Sequence, residues 1–276
     1  MGIVNVTPDS FLPSSRALDC AAAVAMGLAQ IEMGATVVDV GGESTRPGAA
    51  GLPAAEERRR VLPVIERLAA AVAAPISVDT YKAEVAWAAV AAGAALVNDV
   101  SGGLFDPAMP ATIAELEVPV IVGHVPRGTR TVAEMHAAPR EAEPVHAVLR
   151  DLGERLEAFE AAGVRRDRLL VDPGIGFGKG VAENLLILRN LAALQVFERP
   201  IVIGVSRKSF LGVLLGRLGG SSDARRGESS SDGPEGRREA SLAAQVVAAS
   251  RGAALIRTHD VAASVSSLAI VDAILH

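Results

Sequence analysis

One cysteine, Cys20, is all the chain has. That excludes an internal disulfide and any zinc site built on several thiolates, and it fits a reducing cytoplasm. Long apolar runs are missing too. Half of the 276 residues are apolar, yet no run reaches the ~20 residues of a membrane-spanning helix. No basic segment followed by an apolar one opens the chain as a secretion signal would, so the Asn5-Val6-Thr7 sequon is not read as a glycosylation site. Val6 also stands where a myristoylation signal needs Ser or Thr. Positive charge is in short supply. A net charge of −5 argues against a nucleic-acid sheath or a binder of anionic membranes, while local arginines can still hold small anions. Of the two cations lysine is much the scarcer: Lys82, Lys179 and Lys208 are the only three among 27 basic residues. In a chain so biased towards arginine, a retained lysine points to a place that needs a compact ammonium and not a planar fork. All three close apolar or glycine-rich runs, in "SVDTYK", "DPGIGFGK" and "VSRK".

What is present is a repeating punctuation. Short apolar runs at Gly2–Val4, Val37–Val40, Ile76–Val78, Leu96–Val97, Val118–Val122, Leu169–Val171, Ile201–Val205 and Ala254–Ile256 each end in a polar residue or glycine. Stretches of helical period, such as "AAEERRRVLPVIERLAAAV" and "EVAWAAVAAG", lie between them. Eight strands alternating with helices imply parallel strands joined by crossovers. Eight such units in this length predict an α/β chain folded as a single (β/α)8 barrel, one domain over residues 1–276, with its chemistry at the C-terminal rim of the strands. A doubly wound open sheet is the alternative, but no G-x-G-x-x-G follows the first run. One stretch breaks the rhythm. Residues 219–238, "GGSSDARRGESSSDGPEGRR", carry no large apolar side chain and are expected to form a mobile excursion before a helix that begins near Glu239.

The polar residues that end the runs are Asn5, Asp39, Asp79, Asn98, Asp99, His124, Asp172, Ser206 to Lys208, Arg257 and His259. Taken alone, Asp99 and Ser206 read as helix N-caps, and Asp79 as a salt-bridge partner of Lys82. Together they describe a site. A carboxylate at Asp79 or Asp172 suits a ring edge with adjacent N–H donors. Asn98 offers both an acceptor and donors, and Lys208 supplies a point charge for a carbonyl or ring nitrogen. This set fits a flat, fused nitrogen heterocycle. A second theme is anion binding: "GGESTRPG" places Thr45 and Arg46 in a glycine-flanked loop, and "RTHD" places Arg257 and His259 at a helix start. Asn5 lies close by in a barrel, where an amide oxygen, water and a diphosphate would suit Mg²⁺. A nucleophilic serine is not indicated, since "GGESTRPG" lacks the elbow spacing.

"MGIVNVTPDSF", "DVGGESTRPG", "SVDTYKAEVA", "VNDVSGG", "DPGIGFGK", "GVSRKSF" and "RTHDV" resemble, in order and over nearly the whole chain, the motifs of the dihydropteroate synthase family. The resemblance implies a transferase that joins 6-hydroxymethyl-7,8-dihydropterin diphosphate to para-aminobenzoate in folate synthesis, releasing diphosphate. It also implies a (β/α)8 barrel, usually a homodimer, that uses Mg²⁺. Carried over by motif, the pterin site comprises Asp79, Asn98, Asp172 and Lys208, with Phe177 lining it. The diphosphate and Mg²⁺ side comprises Asn5, Arg257 and His259, helped by Thr45 and Arg46. The aminobenzoate slot comprises Phe11, Pro47, Lys208 and Ser209. Asp79, Lys208, Arg257 and His259 are the implied catalytic set.

Three departures from the family pattern are visible. The first loop reads "DSFLPSSR" in place of an acidic, glycine-rich "DSFSDGG", so Pro13 is expected to stiffen that lid. Gly123 stands where the family usually has a methionine, which predicts a gap beside the pterin that methionine would fill. Met1 falls inside the first strand, without the family's usual short lead-in. Two other classes stay open on the motifs alone: a methyltetrahydrofolate–corrinoid methyltransferase, and a pterin binder without catalysis.

Overall fold

The strand-like runs become eight strands: β1 (Gly2–Asn5), β2 (Val38–Gly41), β3 (Ile76–Asp79), β4 (Leu96–Asp99), β5 (Val120–Gly123), β6 (Leu169–Asp172), β7 (Ile201–Gly204) and β8 (Ala253–Arg257). This is a computed structural model, and it describes residues 1–6, 16–218 and 234–275. The strands pair in parallel, in sequence order. The ring closes where Ile3 N–H donates to Thr258 O at 3.1 Å and Thr258 N–H donates to Met1 O at 3.0 Å. Closure rules out the open doubly wound sheet, and the fold is a (β/α)8 barrel.

Helices α1 (Arg16–Glu32), α2 (Ala54–Ala71), α3 (Ala83–Ala91) and α4 (Met109–Leu116) follow the first four strands. After β5 come a short α5 (Val132–Ala137) and the long α6 (Pro144–Ala161), and α7 (Val181–Arg189) follows β6. Helices α8 (Ser209–Leu218) and α9 (Arg238–Ser250) both follow β7, and α10 (Val261–Leu275) follows β8. Of the expected excursion at 219–238, residues 219–233 lie outside the described residues. Residues 234–238 do not belong to it: Pro234–Arg237 form a 3₁₀ turn and α9 begins at Arg238. No helix among the described residues is long and apolar enough to cross a membrane.

Helical spacing explains the wall. In α2, Val61, Val64, Ile65 and Leu68 are fully buried. Their i, i+3, i+4, i+7 pattern turns one stripe towards the sheet. Each strand then alternates. In β2, Val38 and Val40 join the core between barrel and helices, while Asp39 and Gly41 face the barrel's axis. Met1, Leu96, Ile121 and Val202, with Val37, Leu170 and Leu255 against them, plug the lower interior. Above this plug the inward residues change character. Asn5, Gly41, Asp79 and Asn98 are register partners across β1 to β4. Gly123 pairs with Asp172 and Gly204 with Arg257. The ring therefore holds either a polar side chain or none. Gly41 and Gly204 leave the space that the polar groups surround.

Candidate active site

That space is a narrow cleft lined by Thr45, Asp79, Asn98, Gly123, Asp172, Phe177, Gly204, Lys208 and Arg257 among others. Its floor is an ion-pair chain. Arg257 Nε donates to Asp39 Oδ2 at 2.6 Å and its Nη2 donates to Asp79 Oδ2 at 2.6 Å. Asn98 Nδ2 also donates to Asp39 Oδ2, at 3.1 Å, which leaves the Asn98 amide oxygen for a ligand. One guanidinium thus serves two carboxylates. Burial, and the nearby Asp39 charge, push the Asp79 carboxyl up against the pull of Arg257. Arg257 is held well above its ordinary range, because Asp39 and Asp79 outweigh its burial. Its Nη1 makes no hydrogen bond among the described residues and remains free for an anion.

The opposite wall comes from the loops after β6 and β7. Asp172 Oδ1 accepts Gly174 N–H at 2.7 Å, and burial raises this carboxyl despite the Lys208 ammonium. Lys208 Nζ donates to Ile175 O and lies 4.1 Å from the centre of the Phe177 ring, a cation–π contact. Burial lowers its pKa to about 8. A Cβ on Gly176 would come within 2.9 Å of the Lys208 stem, and Gly176 has φ +83°, so this turn needs glycine both for its conformation and for the lysine's room. Lys179 is spent on the same loop. It donates to Gly174 O at 2.9 Å, Phe177 O at 3.1 Å and His124 O at 3.4 Å.

At the rim, Ser206 Oγ accepts His259 N–H at 3.2 Å and lies 3.1 Å from His259 Nδ1. The hydroxyl can then donate to Nδ1, a pattern that leaves the proton on Nε2, facing away. Burial, with Arg257 and Arg207 near, lowers the His259 pKa to about 4. His259 is therefore a neutral hydrogen-bond donor at neutral pH, not one of the cations. Asn5 ends β1, half-buried beside Gly41. Its amide makes no side-chain hydrogen bond among the described residues, and no cluster of three or more His, Cys, Asp or Glu that could hold a metal occurs among them.

The structure gathers Asp79, Asn98, Asp172, Phe177, Lys208 and Arg257 into one cleft, with Thr45 on its edge. It does not bring in Arg46, Pro47 or Ser209, which are exposed, although the Arg46 charge reaches His259. Phe11 lies outside the described residues, as does the first-loop lid with Pro13. Arg257 turns to the floor acids instead of lying open beside His259. Lys82 is not paired with Asp79; it pairs with Glu43 and Glu57. Ser206 does not cap a helix but holds His259. Asp99 caps the turn after β4 instead of a helix, accepting Ser101 N–H at 2.8 Å and Gly103 N–H at 2.6 Å.

The gap expected at Gly123 does not exist. A Cβ there would lie 2.6 Å from Val100 C and 2.7 Å from Asp99 O, so the neighbouring backbone already occupies the place of a methionine. One functional partner, and the role of another, escaped the sequence reading. Asp39 stood among the polar residues of the runs, but its place as the partner of Arg257 and Asn98 did not show. Arg155 of α6 is buried and donates to Gly123 O and Val125 O, both at 2.6 Å, and nothing in its amphipathic helix announces that role.

The profile of the pterin binding enzyme family matches residues 1–259. Dihydropteroate synthase of Escherichia coli (strain K12) is 39% identical over 275 residues, covering 100% of this chain and 91% of that protein. The Mycobacterium leprae (strain TN) dihydropteroate synthase is 42% identical over 276 residues, covering 100% and 93%. A solved structure of Xanthomonas albilineans dihydropteroate synthase with 4-aminobenzoic acid superposes with a TM-score of 0.86 at 46% identity, covering 99% of this chain and 92% of that one.

Proposed function

From the premise that this chain belongs to the pterin binding enzyme family, among the dihydropteroate synthases, we propose that it joins 6-hydroxymethyl-7,8-dihydropterin diphosphate to para-aminobenzoate at the rim just described. The observation that carries the reading is the convergence of Asp79, Asn98, Asp172, Lys208 and Arg257 on a cleft kept open by glycines. A pterin edge presents adjacent N–H donors and a ring carbonyl. The second oxygen of Asp172 and the amide oxygen of Asn98 suit the donors, and the Lys208 ammonium suits the carbonyl.

In the reaction the C–O bond between the pterin methylene and diphosphate breaks, and its electron pair leaves with the diphosphate. The amine nitrogen then forms the C–N bond, and its proton goes to solvent. Asp39, Asp79 and Asp172 surround the cleft with carboxyl groups that carry negative charge when ionised. That sign favours positive charge on the methylene. The free Arg257 Nη1, the outward Nε2–H of His259, and Thr45 and Arg46 of the second loop would receive the departing diphosphate.

The Asn5 amide is a hard oxygen donor of the kind Mg²⁺ accepts. As a single protein ligand it fits an ion that arrives with the diphosphate, whose charge the metal would neutralise. Para-aminobenzoate would lie between Lys208 and the second loop, with Pro47, Ser209 and Phe11 as its further walls. We also assign a cytoplasmic location and a homodimer, the latter supported by exposed Leu185, Leu186, Leu215, Val247, Val265 and Ile270 on consecutive wall helices.

Diphosphate release measured with and without para-aminobenzoate tests the assignment. Release together with dihydropteroate only when both substrates are present is the expected result. Tight pterin binding with no product would instead identify a binder without catalysis.

A further inference from the structure

The second loop runs from Gly42 to Pro53, between β2 and α2. Its root is fixed. Arg60 Nη1 donates to Gly42 O at 3.1 Å. The Glu43 carboxylate accepts Tyr81 O–H at 2.7 Å and Leu52 N–H at 3.2 Å, and it pairs with Lys82. The arch above that root is bare. Arg46, Pro47, Gly48, Ala50 and Gly51 are exposed, and a Cβ on Gly48 or Gly51 would meet nothing within 4 Å. Among the described residues, one hydrogen bond ties the arch to another element: His136 Nε2 to Thr45 O, at 2.9 Å, from 91 positions further along the chain.

His136 stands on a firm base. In α5, Met135 and Val132 are buried in a cluster with Val100 and Val125, against which Tyr81 and Phe177 pack. The Thr131 side chain caps the helix by accepting Glu134 N–H at 3.2 Å. One short helix therefore touches the Phe177 wall of the cleft, the Tyr81 root of the second loop and, through His136, the crown of that loop.

We propose that His136 is a positioning residue, a latch that holds the Thr45–Arg46 arch over the anion side of the cleft before any substrate arrives. Its importance for turnover rests on the reading above that this arch serves diphosphate and para-aminobenzoate. The acceptor is a carbonyl, so Nε2 must carry the proton.

Thermolysin cleavage of the ligand-free protein between Gly51 and Leu52, followed by the mass of the 1–51 fragment, reads the latch without reference to activity. His136→Ala should speed that cut by roughly fivefold to tenfold, as expected for the loss of one hydrogen bond. It should also lower kcat/KM for para-aminobenzoate by a similar factor while leaving pterin binding at Asp172 and Asn98 unchanged. His136→Gln, whose amide N–H can donate to the same carbonyl, should restore both readouts. An unchanged cleavage rate in the alanine variant, or a glutamine variant that behaves like alanine, would overturn the latch. A wild-type chain that cuts slowly but makes no dihydropteroate would instead overturn the functional reading and leave the latch standing.

Discussion

Lys208 sits between the Ile175 carbonyl, the Phe177 ring and the turn at Gly176, a space shaped for one ammonium. Lys208→Arg keeps the charge but brings a wider, planar head, and kcat/KM should fall by about 10²–10³, the size of losing one placed donor to developing charge. Turnover near the wild-type level would remove Lys208 from the site. The same residue sets a pH limit. Its protonated form is the working one, and burial has brought its pKa down to about 8. As pH rises through that value the ammonium is lost, so kcat/KM, which reports the free enzyme, should decline about tenfold per unit on the alkaline side. In Lys208→Arg that limb should vanish from whatever activity remains; a limb persisting near pH 8 would assign it to another group. The lysine scarcity in the sequence was a true signal. Lys82 and Lys179 are also enclosed, the first between Glu43 and Glu57, the second among three carbonyls. What scarcity could not give was the partner of each, because partners come from other strands.

At the scale of the strand, the topmost inward position decides between space and packing, and two glycines there should respond in opposite ways. Gly123→Ala forces a methyl against the Asp99–Val100 backbone. Overpacking of that kind costs about 1–3 kcal/mol, visible as a lower Tm. Gly204→Ala finds room, with its Cβ 3.8 Å from that of Arg257, so Tm should hold while pterin binding weakens as the methyl enters the cleft. Calorimetric melting and pterin titration of both variants separate the two cases, and equal melting losses would refute the distinction. The strands themselves were legible to within a residue or two, because each is a short apolar run stopped by a polar residue or glycine. The meaning of Gly123 was not. A missing side chain looks the same in a sequence whether a ligand or a neighbouring backbone fills its place. Likewise Arg257 and Asp39 both stood out as strand-end groups, but their pairing depends on barrel closure, which sets β8 beside β1 and lets Arg257 reach Asp39 of β2 across it.

For the whole molecule, the exposed apolar side chains of α7 to α10 predict self-association. Sedimentation equilibrium should give twice the single-chain mass of 28.3 kDa, and replacing Leu186 and Ile270 together by glutamate should return the single-chain value. A wild-type chain that sediments at 28.3 kDa would refute the dimer. The barrel as a closed object was readable from eight repeating units; which of its outer faces meets a partner was not, since wall helices with alanine-rich surfaces look alike in one dimension. The Arg257–Asp39 pair, finally, spans 218 positions of sequence, and this has a consequence in time. At a synthesis rate of ~5–20 residues per second, Asp39 emerges about 10–45 s before the arginine that neutralises it, and Asp79, 178 positions before Arg257, not long after Asp39. Through that interval the growing chain holds a half-built ring with open strand edges and uncompensated carboxylates, which opposes early closure of the ring. The last strand to be made is thus the one that completes both the wall and the charge balance, and binding competence should appear abruptly, only once β8 is in place.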